Sequence, residues 1–302
     1  MDVILGQSAP IIGLVIIGFL LRQGQIIHPG DGHVMARLVI NTTLPAVIFV
    51  SLARADIEPA SLIILTLCGA AIPLILHRLA MLLARIMQLK RGVAGVMVIS
   101  AMATNIGFFL FPFFLAFYGK AGISQLAAFD VGNSLVANSY AYYVATCYGD
   151  RHTRGLGTSL KRVLALPTLW ANIFGVAVNL TSFSLPTLVV QVLEPLAAAN
   201  TPLAMLTLGS FIELRFSNWK PMLVTVGLRI GAGWLLGQAL VLVFRLTGLA
   251  RLAVSLGAAM PIGVIVLVYA SMEGLDVDFA ATTISLSILV ALLVTPLLLS
   301  IH

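Results

Sequence analysis

Asp130 stands alone in an apolar run, with Asn133 and Ser134 at i+3 and i+4, Asn138 at i+8 and Tyr140 at i+10. On a helix these five side chains fall within an arc of roughly 160°. A carboxyl among amides and hydroxyls on one face can line a solute path and can take up and release a proton. The same stripe can also serve as hydrogen-bonded glue between helices. Two more ionisable residues sit inside apolar runs. At 1.5 Å per residue, Asp130 lies about 13 Å, Glu194 about 10 Å and Arg229 about 12 Å from the ends of their runs. Groups at such depth are costly and are functional candidates by default. Glu194 is nearest its helix end and suits a solvated vestibule. Arg229 suits an anion counter-charge, or it can snorkel to the surface on its long stem. These three are the candidates for proton or ion coupling.

Amides and helix-breaking residues form a second group. Asn41-Thr42-Thr43-Leu44-Pro45 is echoed by Asn200-Thr201-Pro202-Leu203-Ala204 at an offset of 159, and Ser51 by Ser210 at the same offset. Asn105-Ile106-Gly107 is echoed by Pro261-Ile262-Gly263 at an offset of 156. Breaking a helix frees backbone N–H groups that attract anions and carbonyls that suit cations. In lipid this is tolerated only where a cavity or partner satisfies them. The substrate-binding candidates are therefore Asn41, Asn105, Ile106, Gly107, Asn133, Asn138, Asn200, Thr201, Pro261 and Ile262. Pro45, Pro112, Pro202 and Pro261 are the candidate helix breaks.

The elements that must hold these residues follow from composition. Of 302 residues, 60% are apolar and only 9% charged, far too few charges to cover a soluble globule. Ten apolar segments are long enough to cross a bilayer: 4–21, 33–53, 60–84, 92–118, 121–147, 163–183, 187–212, 221–247, 250–271 and 279–301. The runs are continuous rather than alternating, so helices are expected and not a barrel. The first segment begins beside Asp2 without a basic start, unlike a signal peptide. Connections after odd-numbered spans carry Arg22, Arg37, Arg85, Lys90, Arg91, Arg151, Arg154, Lys161, Arg162, Arg215 and Lys220, whereas the opposite side carries only Arg54, Lys120, Arg245 and Arg251. The positive-inside rule then places both termini outside the cytoplasm of a multi-pass cell-membrane protein, a bacterial inner membrane being the expected setting. The basic pI is a topology signal and not a sign of nucleic-acid binding.

The basic connection 148–162 divides the chain into 1–150 and 151–302, two five-helix halves. An odd number of spans per half makes them inverted. Paired breaks in spans four and nine match the way secondary transporters build midplane sites from discontinuous helices. Other functions fit poorly. An intramembrane serine protease would need a nucleophile turn that Ser100 and Ser134 lack, and the five histidines lie near span ends. An aspartyl protease would need a second aspartate beside Asp130. No nucleotide-binding loop or ion-filter repeat is visible. The spacing of Cys68 and Cys147 gives neither a disulfide framework nor a metal site. No cofactor and no enzymatic activity are expected.

These motifs resemble the auxin efflux carrier family, including bacterial members labelled malonate or other organic-acid transporters. The likeness rests on Asn41–Ala46, on Asn105-Ile106-Gly107 with Pro112 and Tyr118-Gly119, on Asn200–Ala204, and on Met260-Pro261 with Ala280–Pro296. The resemblance implies ten helices in two inverted repeats, a fold also similar to that of bile-acid/sodium symporters, with helices four and nine broken and crossing. It implies a small carboxylate substrate, malonate- or auxin-like, held near Asn105 and the backbone at Pro261. It also implies alternating access and a homodimer as the assembly, while the paired-residue pattern of a sodium site in the bile-acid relatives is not evident here, which favours proton coupling or facilitated transport. A sodium-coupled anion symporter and an anion channel are the alternatives. The sequence departs from the family after Pro261, where Ile262-Gly263-Val264-Ile265-Val266 is apolar in place of the usual polar residues.

Overall fold

A computed structural model describes residues 2–54, 59–149, 164–181, 185–213 and 219–301. Among the described residues the chain is helical throughout, with one isolated antiparallel bridge between Thr104 and Ile262 and no strands. The first half contains α1 (Asp2–Gln23), α2 (Pro29–Leu38), α3 (Leu44–Ala53), α4 (Pro59–Ile86), α5 (Arg91–Met102), α6 (Phe111–Leu135) and α7 (Ala141–Tyr148). The second half contains α8 (Pro167–Thr181), α9 (Thr187–Ser210), α10 (Trp219–Val226), α11 (Gly233–Val243), α12 (Gly248–Ala258), α13 (Ile265–Glu273) and α14 (Val277–Ile301). In lipid a helix satisfies its own backbone groups, so apolar runs of this length settle as helices.

Among the described residues, seven stretches are long and apolar enough to cross a membrane: Gly6–Gln23, Gly30–Ala53, Ala60–Ile86, Ile106–Tyr148, Thr187–Ser210, Trp219–Val243 and Val277–Leu299. α5 and α12 are apolar but shorter. The Ile106–Tyr148 stretch has 43 residues. At full helical rise it would run about 65 Å, twice the hydrocarbon layer. It does not run straight, because Gly119 adopts φ +58° and ψ −154°, a conformation that only glycine takes readily. α8 begins at Pro167, within the expected 163–183 segment. Val163, residues 182–183, most of the 148–162 connection and Arg215 lie outside the described residues.

Large apolar side chains such as Leu20, Ile63, Leu82, Leu235, Leu242 and Leu293 point outward. Lipid accepts them where water would not. Inside, small residues let backbones touch. A Cβ on Gly18 of α1 would lie 2.2 Å from the Leu206 carbonyl oxygen of α9, and one on Gly209 would lie 2.0 Å from that of Val15. Gly69 of α4 and Gly132 of α6 make the same reciprocal approach, each 1.9 Å from a backbone oxygen. Close backbone contact of this kind stands in for the hydrophobic drive that lipid removes. Hydroxyls bond mostly to carbonyls of their own helix, as Thr207 does with Leu203.

Among the described residues, four turns are wound wide, with π-type i→i+5 bonding: Val39–Thr43, Ile106–Leu110, Val136–Tyr140 and Gly227–Ala232. They correct the expected positions of the helix breaks. The first wide turn lies just before Pro45, so the helix passes from α2 into α3 without a break there. The wider turn relieves the clash between the proline ring and the preceding carbonyls. α9 also runs unbroken through Pro195 and Pro202. Pro112 lies in the first turn of α6, beyond the true interruption, where its missing N–H costs nothing. Of the four prolines, only Pro261 sits within an interruption.

Candidate functional site

Two interruptions face one another. Residues 103–105 separate α5 from the wide turn at Ile106, and residues 259–264 separate α12 from α13. The freed backbone groups pair across them. The Asn105 N–H donates to the Pro261 carbonyl at 2.8 Å, and the Gly263 N–H donates to the Ala103 carbonyl at 2.8 Å. The Ile262 N–H is taken by the Ser287 hydroxyl of α14 at 3.0 Å. In a region without water each freed group needs a partner, and these contacts supply one for each donor and acceptor named.

Three further carbonyls at the broken ends converge on Arg229, which is fully buried at 0% exposure. Its Nη2 donates to the Ala258 carbonyl at 2.7 Å, its Nε to Met260 at 3.2 Å and its Nη1 to Ala101 at 3.3 Å. Thus one guanidinium joins the C-terminal ends of α5 and α12. The snorkelling alternative for Arg229 is corrected: the side chain is fully buried and does not reach the surface. A buried fork with planar donors finds its acceptors in the backbone of two broken helices.

On the other side of the interruptions lies a cavity of about 520 Å³. It is lined by Thr104, Asn105, Gly107 and Phe108 from the first interruption and by Gly263, Val264 and Ile265 from the second. The middle of the polar stripe faces it, namely Asp130, Asn133, Ser134 and Asn138. Asn133 Nδ2 donates to Asp130 Oδ1 at 3.0 Å, and Asn138 Nδ2 donates to the Ser134 carbonyl at 2.8 Å. Asp130 is 8% exposed and Asn105 3%. Asn105 Nδ2 has no partner among the described residues, leaving a buried donor at the cavity wall.

Other predicted residues lie elsewhere. Asn41 is exposed and donates to the Arg37 carbonyl of its own helix at 2.6 Å. The cavity face of this helix is His33, Ala36, Arg37, Ile40 and Leu44, and Asn41 is one residue, about 100°, off it. Asn200 is buried, and its Oδ1 accepts from the Thr43 hydroxyl at 3.1 Å, which joins α9 to the wide turn before α3. Thr201 is next to it, outside the cavity lining. Ile106, Pro261 and Ile262 are buried and act through the backbone. Tyr140 turns from the stripe and stacks on Tyr143, with His77 edge-on at 5.2 Å. Glu194 lies outside the lining of this cavity. It is exposed, pairs with Arg54 at 2.9 Å and with Lys120 at 3.6 Å, and borders a separate cavity of about 290 Å³. This trio couples connections that the basic-residue count places on one side of the membrane.

Sequence reasoning missed His33 and Arg37, which stand on the cavity wall from α2. Their i, i+4 spacing puts them on one face, but both looked like ordinary span-end residues. It also missed Thr168 of α8. From Ser134 and Thr168 the lining continues past Asn172 into a groove of about 620 Å³ walled by apolar residues of α4 and α8.

The sequence matches the family described as "Membrane transport protein" over residues 3–149 and 150–299. It is similar to an uncharacterized transporter of Methanothermobacter thermautotrophicus, with 29% identity over 288 residues covering 94% of this chain and 93% of that protein. It is also similar to an uncharacterized transporter of Methanocaldococcus jannaschii, with 23% identity over 296 residues covering 94% of each.

Proposed function

The chain belongs to the membrane transport protein family, the family its motifs resemble, whose members are transporters and not enzymes, and we propose that it is a secondary transporter of a small organic anion. The observation that carries this reading is the cavity at the paired interruptions. It gathers an unpartnered amide donor (Asn105), a basic residue (Arg37) and a carboxyl (Asp130) within one space.

The chemistry assigns roles. Asn105 Nδ2 and the adjoining half-helix N-terminus at Ile106 offer donors to a carboxylate. Arg37 adds positive charge at the wall. Asp130 would repel the same anion when ionised, so protonation of Asp130 and anion binding favour each other, which is proton coupling. The architecture behind it is ten helices in two inverted halves, 1–150 and 151–302, with the fourth and ninth broken and crossing. The packing supports this. α1 of the first half lies along α9 of the second, and α8 of the second lies along α3 of the first, the reciprocal arrangement an inverted pair requires. Alternating access moves the interrupted helices past the remaining bundle, in a cell membrane with both termini outside the cytoplasm.

The test is uptake and counterflow of labelled malonate and related acids by protein reconstituted in vesicles. Saturable counterflow driven by trans-side unlabelled acid is expected, together with net uptake driven by an inward proton gradient. Asp130→Asn should keep binding but flatten the dependence of uptake on pH. An Asp130→Asn variant with full, pH-sensitive uptake would remove the proton role, and no exchange of any acid by folded protein would remove the carrier reading.

A further inference from the structure

The two interruptions expose opposite ends to opposite places. The N-terminal ends of the second half-helices, at Gly107 and Phe108 and at Val264 and Ile265, line the cavity. The C-terminal ends of the first half-helices, at Ala101 and at Ala258 with Met260, face Arg229. A helix C-terminus carries about half a negative charge, so two of them together form a cradle for one cation. Where broken helices cross in transporters, freed carbonyls of this kind hold the coupling cation.

We propose that Arg229 is a cation tethered in that cradle. It neutralises the two negative helix ends from within, leaves the two positive ends facing the cavity, and thereby fixes the crossing as an anion site. Among the described residues no carboxylate pairs with Arg229, so its charge is balanced by helix ends alone. Gly233 keeps the space open: a Cβ there would lie 2.2 Å from the Ala258 carbonyl oxygen and 3.5 Å from Arg229 Nη1. Arg229 is therefore a positioning residue that acts on the anion through the helices. This inference rests on the carrier reading for its consequence, but its geometry can be tested without transport.

The experiment is thermal unfolding of the purified full chain, followed by tryptophan fluorescence. Arg229→Ala empties the cradle and should lower the midpoint by roughly 5–10 °C. Low-millimolar guanidinium should restore at least half of that loss, urea at the same concentration none of it, and neither should move the wild type. Arg229→Lys keeps the charge without the fork. It should fold with a smaller loss and gain nothing from guanidinium, which keeps the test decisive if the alanine variant does not fold. Equal rescue by urea, absence of rescue, or an Arg229→Met variant as stable as wild type would overturn the proposal. A second arm measures malonate binding by the same method, and Arg229→Met should bind at least tenfold more weakly than wild type. If malonate moves no variant, including wild type, the substrate assignment fails while the guanidinium result still decides the role of Arg229.

Discussion

At the first interruption the chain places Thr104 and Asn105 against the cavity; at the second it places Gly263, Val264 and Ile265 there, with Pro261 and Ile262 buried behind. The backbone pairing treats the two alike, each giving one N–H and receiving one carbonyl. The side chains do not. Most polar side chains of the cavity wall come from the first half of the molecule, Asp130, Asn133 and Arg37 among them. The second half contributes backbone, the Arg229 clamp, the Ser287 hydroxyl and, at the wall, Thr168. The two interruptions thus share one backbone pairing but differ in the side chains they turn to the cavity, and under the proposed function the apolar Ile262-Gly263-Val264 run has the task of holding the crossing and not of reading the anion.

The sharpest way to break this contrast is Asn105→Leu. A hydrogen bond to a charged group is worth about 1.5–3 kcal/mol, so malonate binding should weaken by roughly 10–100-fold. Unchanged affinity in an equilibrium binding assay would mean the first interruption does not read the anion. Ser287→Ala strips the Ile262 N–H of its acceptor and should cost about 1–3 kcal/mol of stability. Its malonate affinity should fall by less than that of Asn105→Leu, and a larger fall would make the second interruption the recognising one. Arg37→Gln removes a charge at the cavity wall and should raise the half-saturating malonate concentration only a few-fold, with the difference shrinking as salt is added. A salt-insensitive loss would place Arg37 in a dry contact instead. Ile262→Ala, a side chain turned away from the cavity, should leave malonate affinity within about twofold, since only its backbone is used.

Much of this was legible in the residues. The run lengths gave the helices, and the polar spacing from Asp130 to Asn138 gave a face that does line the cavity. The pairing of Asn105 with Pro261 follows the offset at which the two motifs echo each other. What was not legible shares a physical cause. Arg229 is held by carbonyls from Ala101, Ala258 and Met260, and a carbonyl leaves no mark in residue type. Glu194 looked deep by counting, yet its partners Arg54 and Lys120 come from remote connections. Pro202 looked like a break because proline breaks helices in water, whereas α9 accommodates it. Asn41 was misplaced by a single step of rotation around its helix.

The four wide turns carry a further meaning. Residues from three of them, Ile40, Gly107 with Phe108, and Ala137 with Asn138, line the cavity, and the fourth holds Arg229. A wide turn holds one residue more than a regular one, so everything beyond it is turned by about 100° relative to an uninterrupted α-helix. Removing one residue from any of these turns gives a regular helix that still spans the membrane, with its functional face rotated out of register.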